Sequence, residues 1–115
     1  MNLPKADAVE IAKEKITEYL LNPRHPDGVG QAIFFLAQGF RADAWQVLAD
    51  ALRQLAGRFP VVKQAASPHG TKYIVDGELE TPAGKSPVVR TVWSVDQGAE
   101  TPRLVTAYPQ EQGEG

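Results

Sequence analysis

Cysteine is absent from this chain of 115 residues. No disulfide can staple it, no thiolate can hold zinc, and no cysteine nucleophile exists. Histidine is scarce: His25 and His69 are the 2 present, too few for a structural zinc site. An excess of charge of one sign is also lacking. Against 12 Lys and Arg stand 14 Asp and Glu, a formal net charge of −2, so no global field draws the chain to nucleic acid. Any such binding needs a local basic cleft. No apolar run approaches the length of a membrane span, and the N-terminus lacks a signal-peptide core. A cytoplasmic location with no membrane partner is the expectation. Phosphate-loop and dinucleotide patterns are missing too. Gly28-Val29-Gly30 follows no strand and is too short for G-x-G-x-x-G. No Gly-x-Ser-x-Gly elbow occurs, and the acidic residues show no metal-ligand spacing. No cofactor and no metal are expected.

What is present fits one α+β domain over residues 1–109, with a polar, Gly-rich tail over 110–115 expected to fray. Val9, Ala12, Ile16, Tyr19 and Leu20 share a helical face. That helix has two candidate starts: Pro4 in a first turn, or a capping box of Asp7 with Glu10. It stops at Asn22-Pro23, because the residue before proline avoids the α region. A turn-rich loop follows to Gly30. Gln31 to Gln38 predicts a short buried helix, with Gly39 as a left-handed cap and Phe40 folded back on it. Trp45, Leu48, Leu52 and Leu55 predict a third helix over about 43–56, stopped by Gly57.

After Pro60 the period changes to two. Strands are expected over 61–66, over 70–80, over 88–95 and over 102–109. In the second, Tyr73, Val75 and Leu79 share one face, and Lys72, Ile74 and Asp76 the other. Helices first and strands after them predict α+β rather than alternating βαβ. Short connections favour a four-stranded antiparallel meander with three helices packed on one face. The other face is then open, a place for a ligand.

His25 lies in a loop held by Pro23 and Pro26. It is either a general acid or base near neutral pH, or an exposed brace for the corner between the first two helices. His69 is a plain turn residue. Arg90 is the sole charge within 88–95. It either binds phosphate from the open face, or pairs across the sheet with Asp76 or Glu78. Alternation alone does not assign its face, since Val89 and Val92 disagree. Thr106 and Tyr108 share a strand face. They offer two hydroxyl donors to an anion or simply pack across strands. Trp45 and Trp93 belong to the core.

Four stretches carry a resemblance: Tyr19-Leu20-Leu21-Asn22-Pro23-Arg24-His25-Pro26; Ile33-Phe34-Phe35 through Gly39-Phe40; Gly70 through Gly77; and Arg90-Thr91-Val92-Trp93 with Pro102 through Pro109. Together they resemble a bacterial family of small domains of unknown function, over about residues 10–109. Its members occur alone and at the C-termini of toxin-like and phage proteins. The order of elements is similar to the Barnase/EndoU/colicin/RelE class of metal-independent ribonucleases. The resemblance implies that His25, Arg90, Thr106 and Tyr108 are catalytic. Gln31, Lys72 and Arg103 are expected to bind RNA beside them. One departure stands out: the family pattern has Lys where this chain has Gln31. The expected function is a ribonuclease-like toxin domain, acting on RNA and matched to a small antitoxin or immunity protein. The alternative is a non-catalytic protein-binding partner or a degenerate stand-alone relative.

Overall fold

The computed structural model describes residues 1–110. The expected frayed tail lies outside it from residue 111 on; Gln110 itself donates its N–H to Val88 O at 2.9 Å. In chain order come a 3-10 turn at Ala6–Ala8 and α1 (Lys13–Lys15), which runs straight into a π-turn at Ile16–Leu20. Then follow α2 (Val29–Ala37), a 3-10 turn at Ala42–Ala44 and α3 (Trp45–Arg58). The four strands are β1 (Val61–Ser67), β2 (Gly70–Glu78), β3 (Val88–Asp96) and β4 (Arg103–Pro109). They form one antiparallel meander in the order β1-β2-β3-β4. The α+β architecture expected from the sequence is the one observed.

The first helix is the element the sequence misplaces. Periodicity favours a helix from Pro4 or Asp7, yet residues 9–12 are extended and the Asp7–Glu10 capping box does not form. The reason lies at the sheet edge. Glu10 donates its N–H to Pro102 O at 2.8 Å and accepts from Leu104 N–H at 2.9 Å, a parallel bridge onto β4. Edge backbone groups need partners, and Glu10 supplies them at the expense of two helical turns. Helix geometry begins only at Lys13, and the N–H of Leu21 reaches Ile16 O, the spacing of a π-turn.

The other helices sit close to expectation. α2 starts two residues before Gln31. Gly39 adopts φ 96, and Phe40 returns to donate to Phe35 O at 3.3 Å, its ring 6.2 Å from that of Phe35. In α3, Gly57 is not the stop. The helix runs through it to Arg58, and Pro60 forces Phe59 extended at φ −111, ψ 148. α3 buries Leu48, Leu52 and Leu55 along one stripe. The Phe59 ring then lies directly on Gly77, where any Cβ would collide with it.

Helices and sheet close one core holding Ile16, Leu20, Phe35, Val75, Val89, Trp93 and Ala107. Thr91 is buried on the same face. Its hydroxyl donates to Val75 O at 2.8 Å and accepts the Trp93 indole N–H at 2.8 Å. Thus Thr91 and Trp93 face the helices, and Arg90 faces the opposite side. Val92 lies beside Arg90 on that open side, half-buried opposite Ile74.

Candidate functional site

β3 and β4 are directly in register at Arg90↔Tyr108, Thr91↔Ala107 and Val92↔Thr106. Val105 is the extra residue of a bulge before Trp93↔Leu104. The register sets Arg90, Tyr108 and Thr106 on the open face of this edge. Across the other side of β3, Asp76 opposes Arg90.

Arg90 is held by Asp76 through both arms of its fork: Nε donates to Oδ1 and Nη2 to Oδ2, each at 2.8 Å. The side chains are 28% and 19% exposed, so the pair is partly withdrawn from water. The Asp76 hydrogen bonds, with a further contribution from Tyr108, raise the Arg90 pKa above its ordinary value. The guanidinium is therefore a fixed cation whose charge is already matched.

At the Thr106 end of this row Tyr19 is the hub. The π-turn carries its hydroxyl to within 3.3 Å of Gln31 Nε2, which donates, and 3.4 Å of Thr106 Oγ1. Gln31 comes from the first turns of α2, so the contact ties α2 to β4. The His25 ring stands edge-on to Tyr19, with centroids 5.0 Å apart and planes at 88°. Lys15 Nζ lies 5.1 Å over the centre of the same ring.

The His25 loop is braced locally. His25 donates its backbone N–H to Asn22 O at 3.2 Å, and its carbonyl accepts from Gly28 N–H at 3.1 Å. Its Nδ1 accepts the Asp27 amide N–H at 3.1 Å. A neutral ring so held carries its proton on Nε2 and donates there. A shallow cleft of about 380 Å³ opens beside it, bounded by Lys15, Tyr19, His25, Glu14 and Glu18.

The remaining expected residues are not hydrogen-bonded to this hub among the described residues, although Arg103 lines a cleft with Lys15. Arg103 Nε donates to Asp96 Oδ2 at 2.6 Å, and Nη2 to Oδ1 at 3.3 Å. The hydrogen bonds of Arg103 and then Ser94 hold the Asp96 carboxyl below the usual carboxylate range. Lys72 projects from the open face of β2, opposite Ser94. His69 sits in the β1–β2 turn. Sequence reasoning missed Tyr19 and Lys15. Tyr19 fits the apolar helical stripe, and its terminal hydroxyl and its place at the head of the Tyr19–Pro26 stretch are the signals of another role. Among the described residues no three His, Asp or Glu side chains are grouped to hold a metal ion, and no helix is long and apolar enough to cross a membrane.

No curated protein matches this chain in sequence. In shape it is similar to a chain of a solved structure, the contact-dependent growth inhibition toxin–immunity protein complex from Klebsiella pneumoniae 342. The TM-score is 0.73 at 17% identity, over 93% of this chain and 97% of that chain, a likeness of fold. The model of a domain of unknown function, DUF6883, matches residues 2–111, and the chain belongs to that family.

Proposed function

We propose that this chain is a metal-independent, ribonuclease-like toxin domain whose cleavage is weak in its native form. The observation that carries the proposal is the continuous polar track on one edge of the sheet. It runs from His25 through Tyr19, Gln31 and Thr106 to Tyr108 and Arg90. The fold shared with a chain of a toxin–immunity protein complex supports the same reading.

In this mechanism the ribose 2′-hydroxyl attacks the adjacent phosphorus and the 5′-oxygen of the next nucleotide leaves. Thr106 and Tyr108 hold the phosphate oxygens by their hydroxyls. Arg90 offsets the charge of the phosphorane, within the limit Asp76 sets. His25, once Nδ1 gives up the Asp27 amide, takes the 2′-hydroxyl proton there and gives its Nε2 proton to the leaving 5′-oxygen, so the ring ends neutral as it began. Lys15 supplies a cation near Tyr19, where Gln31 supplies none. Gln31, Lys72 and Arg103 are the proposed RNA contacts, and a small cognate immunity protein is the proposed partner.

The test is a cleavage assay on single-stranded RNA at low salt. Native protein is expected to cleave weakly. Gln31→Lys adds a full charge at the start of α2, where free amides already favour an anion, and is expected to cleave more. Arg90→Ala in that background is expected to abolish the gain. Equal and negligible cleavage by all three favours the second reading, a non-catalytic partner-binding relative. The occupied fork of Arg90 is the observation behind that reading.

A further inference from the structure

The sheet has two outer strands, and they are finished differently. β4 has Glu10 bridged onto it. Among the described residues β1 has Met1 alone, whose carbonyl accepts the Val61 N–H at 2.7 Å. Beyond the irregularity between Val61 and Lys63, residues Lys63 to Ser67 pair with β2 in unbroken register. Their other side is a free edge among the described residues. This stretch has no proline, and its one charge is Lys63. Val62, just before it, is 53% exposed. Proteins usually protect such an edge with several charges, a proline or a covering segment.

The open face beside this edge has a consistent chemistry. A groove of about 210 Å³ has Ile74, Val92 and Ala65 as its floor, with Lys63 and Lys72 along it. The chain has no Asp or Glu between Asp50 and Asp76, although its net charge is −2. Of the four basic residues in that interval, Arg53 pairs with Asp50 and Arg58 with Glu80. Lys63 and Lys72 hold no ion pair among the described residues. The floor is aliphatic, so it offers no ring on which a nucleobase stacks, as single-stranded nucleic-acid sites do.

We propose that β1 is the docking edge for an extended, acidic segment of a partner protein, which adds a fifth strand to the sheet beside Lys63–Ser67. Backbone hydrogen bonds along β1 supply the pairing. Carboxylates on the open-face side of the added strand meet Lys63 and Lys72, and charge complementarity fixes which partner is accepted. The surface lies apart from the polar track at β4 and shares only Lys72 with the proposed RNA contacts, so the proposal stands whether or not the chain cleaves RNA.

The test uses the full chain, labelled with nitrogen-15, and three synthetic probes. The first is a capped heptapeptide alternating glutamate with valine. The second is the same peptide N-methylated at alternate residues, which keeps the charge and removes strand pairing. The third is an oligouridylate of similar length. The first probe is expected to shift the amide signals of Lys63, Ala65, Lys72 and Ile74 and to slow amide exchange within 63–67 about tenfold or more, as new strand hydrogen bonds do. The N-methylated probe is expected to do neither. Lys63→Glu with Lys72→Glu, exposed changes whose fold the same spectra verify, is expected to weaken the first probe about tenfold. The proposal is overturned if the first probe leaves exchange at 63–67 unchanged, or if both peptides bind alike. It is also overturned if the oligouridylate alone perturbs this groove, which assigns the surface to RNA.

Discussion

On the helix side of β3, Thr91 and Trp93 are sealed from water and satisfy each other: the indole N–H donates to the threonine hydroxyl, which donates onward to Val75 O. On the other side of the same strand, Arg90 is tied to Asp76, and two pleats further on Ser94 donates to Asp96, which Arg103 holds. The closed face admits polar groups only where a short internal chain of donors uses them up. Among the described residues the open face has no covering layer, and aspartates do for its arginines what helices do for the indole. The cations placed to meet an anion are thus already compensated. A phosphate arriving at Arg90 must compete with Asp76, whereas one arriving at Lys63 meets no ion-paired rival among the described residues, and one arriving at Lys72 meets the nearby charge of Asp96.

Three substitutions sharpen or break this contrast. Thr91→Val strikes the closed face and has the largest expected effect. It strands the Trp93 N–H in an apolar core, a loss of about 1–3 kcal/mol in urea denaturation, as for a buried donor left unsatisfied. A neutral result shows that the Thr91–Trp93 pair is incidental to the packing. Asp76→Asn strikes the open face. The pair is only partly buried, so a smaller loss of about 1 kcal/mol is expected. In exchange, the Arg90 fork becomes available, and affinity for single-stranded RNA at low salt is expected to rise severalfold. If affinity does not change, Arg90 is a structural cation and the track from His25 does not end in an anion site.

Asp96→Asn has the smallest effect, and its signature is in pH. Asp96 is held below its ordinary range in the folded protein by Arg103 and then Ser94. A lowered folded-state value stabilises above the unfolded carboxylate pKa of about 3.9, and that contribution is lost as pH falls through the folded value. The native protein is expected to exceed the variant in stability near neutrality, with the gap closing in acid. The pair is exposed, so the gap is small. A gap that widens in acid contradicts the assignment.

The order of elements, the strand alternation and the Gly39–Phe40 cap were legible because local chemistry sets them. Lys72, Ile74 and Asp76 could be placed on one face by counting in twos. The partner of Arg90 was narrowed to two acids, and register chose Asp76 because it stands directly opposite. The first helix was not legible. Val9, Ala12 and Ile16 fit a helical stripe, but the backbone of Glu10 answers to β4, a strand distant in sequence. Gly57 misled because a glycine ends a helix only where its neighbours stop packing, and Leu55 and Ala56 remain buried to the end of α3. The Tyr19 hub was hidden for the same reason as the helix. No propensity announces a π-turn, and without it the hydroxyl has no route to Gln31 and Thr106.

That turn also makes length a constraint. An α-helix advances about 100° per residue, so removing one residue between Ile16 and Tyr19 rotates everything beyond it by about that angle. Glu10 is moored to the edge of β4 at one end of this segment, and the Tyr19 hydroxyl to Gln31 and Thr106 at the other. A one-residue deletion satisfies one mooring and breaks the other, whatever its chemistry. Between those two points the chain keeps phase as a vernier does, and the surplus residue in the turn is what brings both marks into line.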